Sequence, residues 1–391
     1  MDDEVNPNSS PKPTPAARLR GCWEAFLRLL PKARRELGTP LAFLLSAVLL
    51  QLLAALFPAL TERVYARTIY PSIVSALSSF SRRFVFSTGE VLACLLLFVI
   101  LASVIRLGLL LYLRPAGRVR RIVVSTRFAL WFAGACLWVF LLCFGLNYHR
   151  PLLFELLGFE RREATAAELE AISSEVIGRI NESYLEAHAD GRAAPGREEI
   201  IRLLSESYLS VPELSLLPRG SFAPPKPVYF SELLTRFGIS GVYFPFTAEP
   251  NYNEEMPDFQ LPFTIAHEMA HQRGVARESE ANFVAFMVCV NSSDPFVRYS
   301  GYRNGVGVVS ELFRVNPEKA RELVRQLGPG YREDSRRAIL FWTKAGGVFG
   351  NLGLRLNDLY LRANFVKSGT ADYARSTTLI IGYYLRTFGR G

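Results

Sequence analysis

Three long apolar runs near the N-terminus constrain this chain more than any other feature. Leu41–Leu60 has Gln51 as its one strongly polar member. Val91–Ile105 is uncharged and continues past Arg106 through Leu107–Leu113, and Phe128–Leu146 carries no charge. A helix needs about twenty apolar residues to cross the hydrocarbon of a bilayer. Three such runs with basic flanks rarely coincide as core helices of a soluble protein. The runs predict membrane spans at about 41–60, 91–113 and 128–146, with Arg106 placed to reach back to an interface.

The charge follows the same division. The chain carries 45 Lys+Arg against 36 Asp+Glu, a net charge of +9, which by itself would suggest a polyanion-binding surface. Residues 1–147 hold 17 basic and 7 acidic residues, however, and residues 148–391 hold 28 and 29. The excess therefore belongs to the apolar third, where it is a topology signal, and no nucleic-acid partner is expected. Seven Lys and Arg precede the first run. Five more (Arg114, Arg118, Arg120, Arg121 and Arg127) lie between the second and third, against four (Arg63, Arg67, Arg82 and Arg83) between the first and second. The positive-inside bias puts the N-terminus in the cytoplasm and residues 148–391 outside it, anchored by a multi-pass membrane region at 41–147. Within 1–40, residues 1–17 read as a disordered tail rather than a secretory signal. Arg18–Glu36, with Trp23, Phe26 and Leu27, reads as an amphipathic helix on an anionic membrane surface or a solvated lead into the first span. Five cysteines without a CxxC imply no disulfide framework.

From residue 148 the periodicity is that of amphipathic helices. Helices are predicted at 165–187, 195–208, 229–237, 260–273, 277–291, 295–314, 317–327, 333–346, 352–367 and 371–387. The proline-rich stretch 210–227 reads as a loop, and 238–246 as a turn and a short strand that Pro245 confines to a sheet edge. Arg332–Arg337 reads as a solvated face, and Leu379–Leu385 is too short to span. The expected fold is mainly α.

Half of the chain's four histidines fall in one pentapeptide, His267-Glu268-Met269-Ala270-His271. On a helix, residues four apart share a face, so the two imidazoles can hold one zinc ion while Glu268 takes the proton of a zinc-bound water. A catalytic zinc needs a third protein ligand. The HExxHxxGxxH arrangement fails here, because Gly274 fits but position 277 is Arg, which does not deprotonate. The other common source is a carboxylate on the next helix, which Gly274 allows to begin near Arg277 with Glu278 and Glu280 in its first turn.

Glu278-Ser-Glu-Ala-Asn282 resembles the ExxA(D/N) motif of gluzincin metallopeptidases, which include membrane proteases of the CaaX-processing and heat-shock type and anti-repressor peptidases of the ImmA/IrrE type. The resemblance implies Glu278 as third zinc ligand and Asn282 as its support, with Glu280 on another face. Thr264 matches the extended zincin pattern, whereas Arg273 stands where a hydrophobic residue is usual. The three apolar runs, Phe144-Gly-Leu-Asn-Tyr148, Gly238–Phe246 and the histidine motif together resemble a bacterial membrane family catalogued as domain of unknown function 3810. In zincins the strand before the motif helix pairs with an extended substrate. By that resemblance Val242, Tyr243, Phe244, Asn251, Tyr252 and Asn253 bind substrate, although an ordinary core hairpin fits the same residues. Tyr252, Tyr299, Tyr302, Arg303 and Tyr360 are candidate oxyanion donors. His149 and His188 lie far from the motif in sequence.

These readings converge on a membrane-anchored zinc metallopeptidase with a gluzincin-like domain, acting on a peptide or protein substrate with Glu268 as general base. Other classes remain: a membrane sensor or regulator acting on itself or one partner, and a non-catalytic zinc-binding scaffold or transporter component. Retention of Glu268 speaks against a dead site, and the spans lack the acidic residues and broken helices that transport would suggest.

Overall fold

The structure is a computed structural model. It describes residues 15–114, 116–159, 162–220, 222–345, 347–364, 366 and 375–388, with backbone alone at 15–34, 345 and 348. Residues 1–14 of the tail expected at 1–17, the side chains of the amphipathic segment up to residue 34 and the predicted helix ends at 367 and 371 lie outside it, while residues 15–17 of that tail are helical, as the first turn of the helix that begins at Pro15. Two compact units result: residues 1–50 with 98–138, and residues 51–97 with 139–391.

Helix α1 (Pro15–Leu56), α4 (Thr88–Leu113) and α5 (Arg118–Cys143) carry the apolar runs. Arg35–Leu56, α4 and α5 are each long and apolar enough to cross a membrane. None of the apolar window of α4 is buried, which a core helix of a soluble protein could not tolerate. The first run was expected to stay helical to Leu60. Instead α1 ends at Leu56, because Pro58 has no N–H to donate and its ring crowds the preceding turn. The third ends at Cys143 rather than Leu146, and Gly145–His149 follows as a 3₁₀ turn. In the smaller unit, the Phe43 ring packs tilted against Trp131 at 5.0 Å, and Gly134 lets α1 and α5 approach: a Cβ there would lie 2.8 Å from the Phe43 ring.

Between α1 and α4 the chain is folded rather than a plain loop. It forms α2 (Pro58–Leu60), a π-helix at Thr61–Ile69 and α3 (Tyr70–Ser81). Buried Glu62 pairs with Arg67 at 2.7 Å and with buried Arg150 at 2.6 Å, so part of the basic charge of this segment is neutralised locally.

The larger unit continues with α6 (Leu153–Leu156), α7 (Ala166–Ala187) and α8 (Arg197–Ser210). Thr165 and Glu168 form a capping box that starts α7. A three-stranded sheet follows, in the order β1-β3-β2. Strand β1 (Lys226–Pro227) runs parallel to β3 (Glu249–Tyr252), and β2 (Gly241–Phe244) runs antiparallel to it, with α9 (Ser231–Phe237) between β1 and β2. Strand β2 is an edge and stops before Pro245. Strand β1 escaped the sequence reading because it is two residues inside a proline-rich stretch. Then come α10 (Leu261–Gln272), α11 (Glu278–Val290), α12 (Pro295–Gly305), α13 (Val308–Val315), α14 (Pro317–Arg325), α15 (Pro329–Trp342), α16 (Gly347–Ala363) and α17 (Ser376–Phe388).

The single helix expected at 295–314 is therefore two. They break beside Gly305, which is needed because a Cβ there would sit 2.7 Å from the Phe286 ring. The charged run on α15 is not wholly solvated either: Asp334 is buried and accepts a 2.9 Å hydrogen bond from the Tyr299 hydroxyl. Leu379, Ile380 and Ile381 of α17 pack into the core. Helix α11 is apolar nearly all round and almost wholly buried, so α8, α10, α12 and α17 assemble about it, and α7 packs on α12.

Candidate metal centre

Helix α10 begins with Pro262 in its first turn, where a missing N–H costs nothing, and ends in a Schellman motif. The Val275 N–H bonds the Ala270 carbonyl at 3.1 Å, the Gly274 N–H bonds the His271 carbonyl at 2.9 Å, and Gly274 has φ +80°. This reversal carries the Val275 carbonyl back onto the His271 ring, where it lies 2.7 Å from Nδ1. That bond assigns the proton of a neutral His271 to Nδ1 and leaves Nε2 as a lone pair.

His271 Nε2 lies 3.0 Å from His267 Nε2, and the Glu278 Oε2 atom lies 3.1 Å from His267 Nε2 and 3.6 Å from His271 Nε2. Donor atoms on a tetrahedral zinc with bonds of about 2.0–2.1 Å are separated by about 3.4 Å. Three lone-pair atoms aimed at one point repel unless a proton or a cation lies between them, so the donor set fits zinc in chemistry and spacing. Among the described residues no second group of three such side chains converges.

Glu268 is buried beside the cluster against Gly241 of β2, where a Cβ would lie 2.6 Å from Glu268 Oε1 and 2.9 Å from the Asn251 carbonyl oxygen. Burial pushes the Glu268 carboxyl up to about 7 against the pull of the two histidines, and Glu278 adds to the rise. Burial would likewise raise Glu278, but the charge of a protonated His271 and the hydrogen bond from His267 hold it below the usual carboxylate range. For His271 burial lowers the pKa, and the Glu278 carboxylate overcomes it and raises it.

The remaining sequence candidates separate cleanly. Glu280 turns away and accepts the Leu153 N–H at 2.7 Å. Asn282 is half-buried, and no hydrogen bond joins it to His267, His271 or Glu278. Asn251, Tyr252 and Asn253 are buried on or beside β3, whose two edges are taken by β1 and β2. The open edge is β2, where Val242 and Phe244 are half-buried and Tyr243 is buried. The Asn253 N–H bonds the Ser240 carbonyl at 2.8 Å, so the alternation of an antiparallel ladder points the backbone groups of Gly241 and Tyr243 outward. Arg273 proves compatible with its apolar position, because its guanidinium lies 3.9 Å over the Tyr208 ring and 4.8 Å over the Phe222 ring.

Of the oxyanion candidates, Tyr299 is spent on Asp334, Tyr302 packs on Phe286, Arg303 lies over the Phe259 ring and Tyr252 is in the core. Tyr360 of α16 is the exception. Its hydroxyl accepts from Tyr148 at 3.3 Å. Burial raises its pKa to about 12, lowered by the Tyr148 bond and raised by the Glu278 charge.

Several supports were not anticipated. Phe144 sets its ring edge-on to His271 at 6.1 Å and against Tyr243 at 5.1 Å. Arg277, which cannot be a ligand, donates instead to the Tyr148 carbonyl at 3.0 Å. Arg150 donates to the Gly274 carbonyl at 2.8 Å, and the Tyr70 hydroxyl donates to the Gln272 carbonyl at 3.0 Å. The chain leaving α5 and the helices between α1 and α4 thus hold the C-terminus of α10.

No curated protein and no solved structure matches the chain. A family model described as protein of unknown function (DUF3810) matches residues 65–381, a span that takes in the start of α3, the sheet and the whole His-His-Glu cluster. The chain belongs to that family.

Proposed function

We propose that this protein is a zinc metalloendopeptidase of a bacterial cell membrane, with its N-terminus cytoplasmic and its gluzincin-like domain on the opposite side. The observation that carries the reading is the meeting of His267, His271 and Glu278 at one point with Glu268 buried beside them. The ends of the three apolar helices at Leu56, Thr88 and Cys143 all belong to the same unit as this cluster, as three crossings require.

His267 and His271 through Nε2 and Glu278 through Oε2 would hold the ion. When bound, zinc lowers the pKa of a water and polarises a carbonyl. Glu268, poised near neutrality by burial, takes a proton from the attacking water and delivers it to the leaving amine. In this reading Tyr360, whose pKa feels the Glu278 charge, would donate to the developing oxyanion, and the outward backbone of β2 would pair with an extended peptide.

Zinc content and cleavage test this together. The purified protein should hold close to one zinc per chain, His271→Ala should lose it, and Glu268→Gln should keep it while losing cleavage of a peptide library. Parent protein without zinc, or a Glu268→Gln variant that cleaves like the parent, would overturn the reading. A reporter fused to the C-terminus that reads as cytoplasmic would overturn the topology alone.

A further inference from the structure

Helix α16 has three faces. Gly350, Gly353, Asn357 and Leu361 turn into the protein, where Gly353 lies so close to α9 that a Cβ would meet the Phe237 carbonyl oxygen at 2.5 Å. Asn351, Arg355, Asp358 and Arg362 form a polar stripe. Phe349, Leu352, Leu356 and Leu359 fall at spacings of three and four, which is one stripe of a helix, and they are 43–67% exposed, whereas exposed Leu354 stands alone beside the polar stripe. Scattered exposed leucines need no explanation, but a continuous apolar stripe beside a charged one does.

We propose that this stripe lies in the bilayer, making α16 an interfacial helix at the non-cytoplasmic surface. The inference rests on reading α1, α4 and α5 as spans. Continuity with them identifies lipid as the occupant. At its C-terminal end α16 meets two spans: the Ala363 carbonyl accepts from Gln51 Nε2 of α1 at 3.3 Å, and the Tyr360 ring lies 6.1 Å edge-on from Phe140 of α5. Gln51 is five residues and Phe140 three residues short of the ends of those helices, hence about 7.5 and 4.5 Å inside them at about 1.5 Å per residue. An amphipathic helix buries its apolar face about 5–10 Å into the boundary between headgroups and acyl chains, the same depth. At its N-terminal end the Phe349 ring packs on Phe237 of α9. The backbone N–H groups of Tyr229 and Phe230, just before α9, donate to Glu90 in the first turn of α4 at 2.9 Å each. The C-terminal end of α16 is thus tied directly to two spans and its N-terminal end is linked to a third through the length of α9, and Arg355 and Arg362 lie on the polar stripe beside the apolar one, where lipid phosphates would meet them. Tyr360 adjoins the stripe, and its hydroxyl accepts from Tyr148 at 3.3 Å.

Site-directed spin labelling in lipid vesicles tests this on the full chain with its cysteines other than buried Cys289 replaced. Nitroxides are placed by Leu352→Cys, Leu356→Cys and Leu359→Cys, by Asn351→Cys and Arg355→Cys on the polar stripe, and by Leu95→Cys on α4 as the lipid reference. The expected result is oxygen accessibility severalfold above that of a water-soluble nickel chelate at 352, 356 and 359, as at 95, and the reverse at 351 and 355. Chelate access at all five α16 positions overturns the proposal in favour of a water-facing helix. Immobilised spectra with neither quencher gaining access overturn it in favour of a protein partner. A Leu95 label that reads as aqueous overturns the membrane reading itself and is thereby told apart from failure of the α16 proposal alone.

Discussion

Helices α10 and α16 break the ordinary rule of burial in opposite directions. Helix α10 buries His271 and Glu268 among apolar neighbours, whereas α16 turns a stripe of four large apolar side chains, Phe349, Leu352, Leu356 and Leu359, outward, with Leu354 and Tyr360 exposed beside it. Each departure is informative because it carries a cost in water: an unpaired buried charge loses hydration, and an exposed leucine loses the gain of burial. Helix α10 meets its cost with a ligand set and a shell of supports. Among the described residues the exposed stripe of α16 has no such shell, which is what the proposed lipid-facing helix would require. The comparison yields an ordered set of expected effects, largest where buried polar groups lose a partner and smallest on the outward stripe.

Arg150→Ala stands at the top. It leaves Glu62 buried with only Arg67 beside it and removes the donor to the Gly274 carbonyl. Breaking one side of a buried pair costs about 3–5 kcal/mol, measured as loss of unfolding free energy in detergent micelles. Replacing both partners, Glu62→Leu with Arg150→Met, should cost less than the single change. The penalty should also depend on pH. Burial would raise the Glu62 carboxyl, but the hydrogen bond and charge of Arg150 hold it below its ordinary 4.5. A carboxyl depressed in the folded state adds stability above its unfolded value and loses it as pH falls through the folded one. The deficit of Arg150→Ala should therefore be full near neutrality and shrink below about pH 4.5. A penalty that does not change with pH would remove Glu62 from the account.

Gly241→Ala comes next. The new methyl has nowhere to go, with Glu268 Oε1 at 2.6 Å and a backbone carbonyl at 2.9 Å. Overpacking of this kind costs about 1–3 kcal/mol. Here it also displaces the proposed base, so cleavage should fall more than stability while zinc content, held by untouched ligands, stays level. If the variant loses zinc instead, the sheet acts on the ligands rather than on Glu268.

How far each region could be read in the sequence follows from the range of its contacts. His267, Glu268, His271 and Glu278 lie within twelve residues, joined by one helical turn and one glycine stop, so local rules bring them together. Gly241 against Glu268 and the Glu62–Arg150 pair depend on how distant segments dock, and no periodicity encodes that. The Val275 carbonyl that orients His271 is a backbone group and carries no residue signature. Arg273 looked like a departure because residue type alone does not say that two aromatic rings flank it. The stretch proposed to pair with substrate was legible as extended chain. That β3 is central and β2 is the open edge depends on β1, two residues that pair across 25 positions. The α16 stripe was present in the sequence as spacing, but it acquired meaning only when the opposite face proved to be the packed one.

Leu356→Gln is the smallest effect and the closest check on the comparison. A side chain 54% exposed on the outward stripe makes few contacts within the protein. In detergent-solubilised protein, the change should move unfolding free energy by no more than about 0.5 kcal/mol, as for surface substitutions generally. In vesicles the same change takes a polar amide into the acyl boundary, where the apolar surface it replaces was favourably placed. The protein should then become more extractable by mild detergent than the parent, whereas Arg355→Gln, on the polar stripe one residue away, should not. A Leu356→Gln variant that loses stability in micelles as Gly241→Ala does would mean that the stripe is covered by protein, and the two helices would no longer stand as opposites.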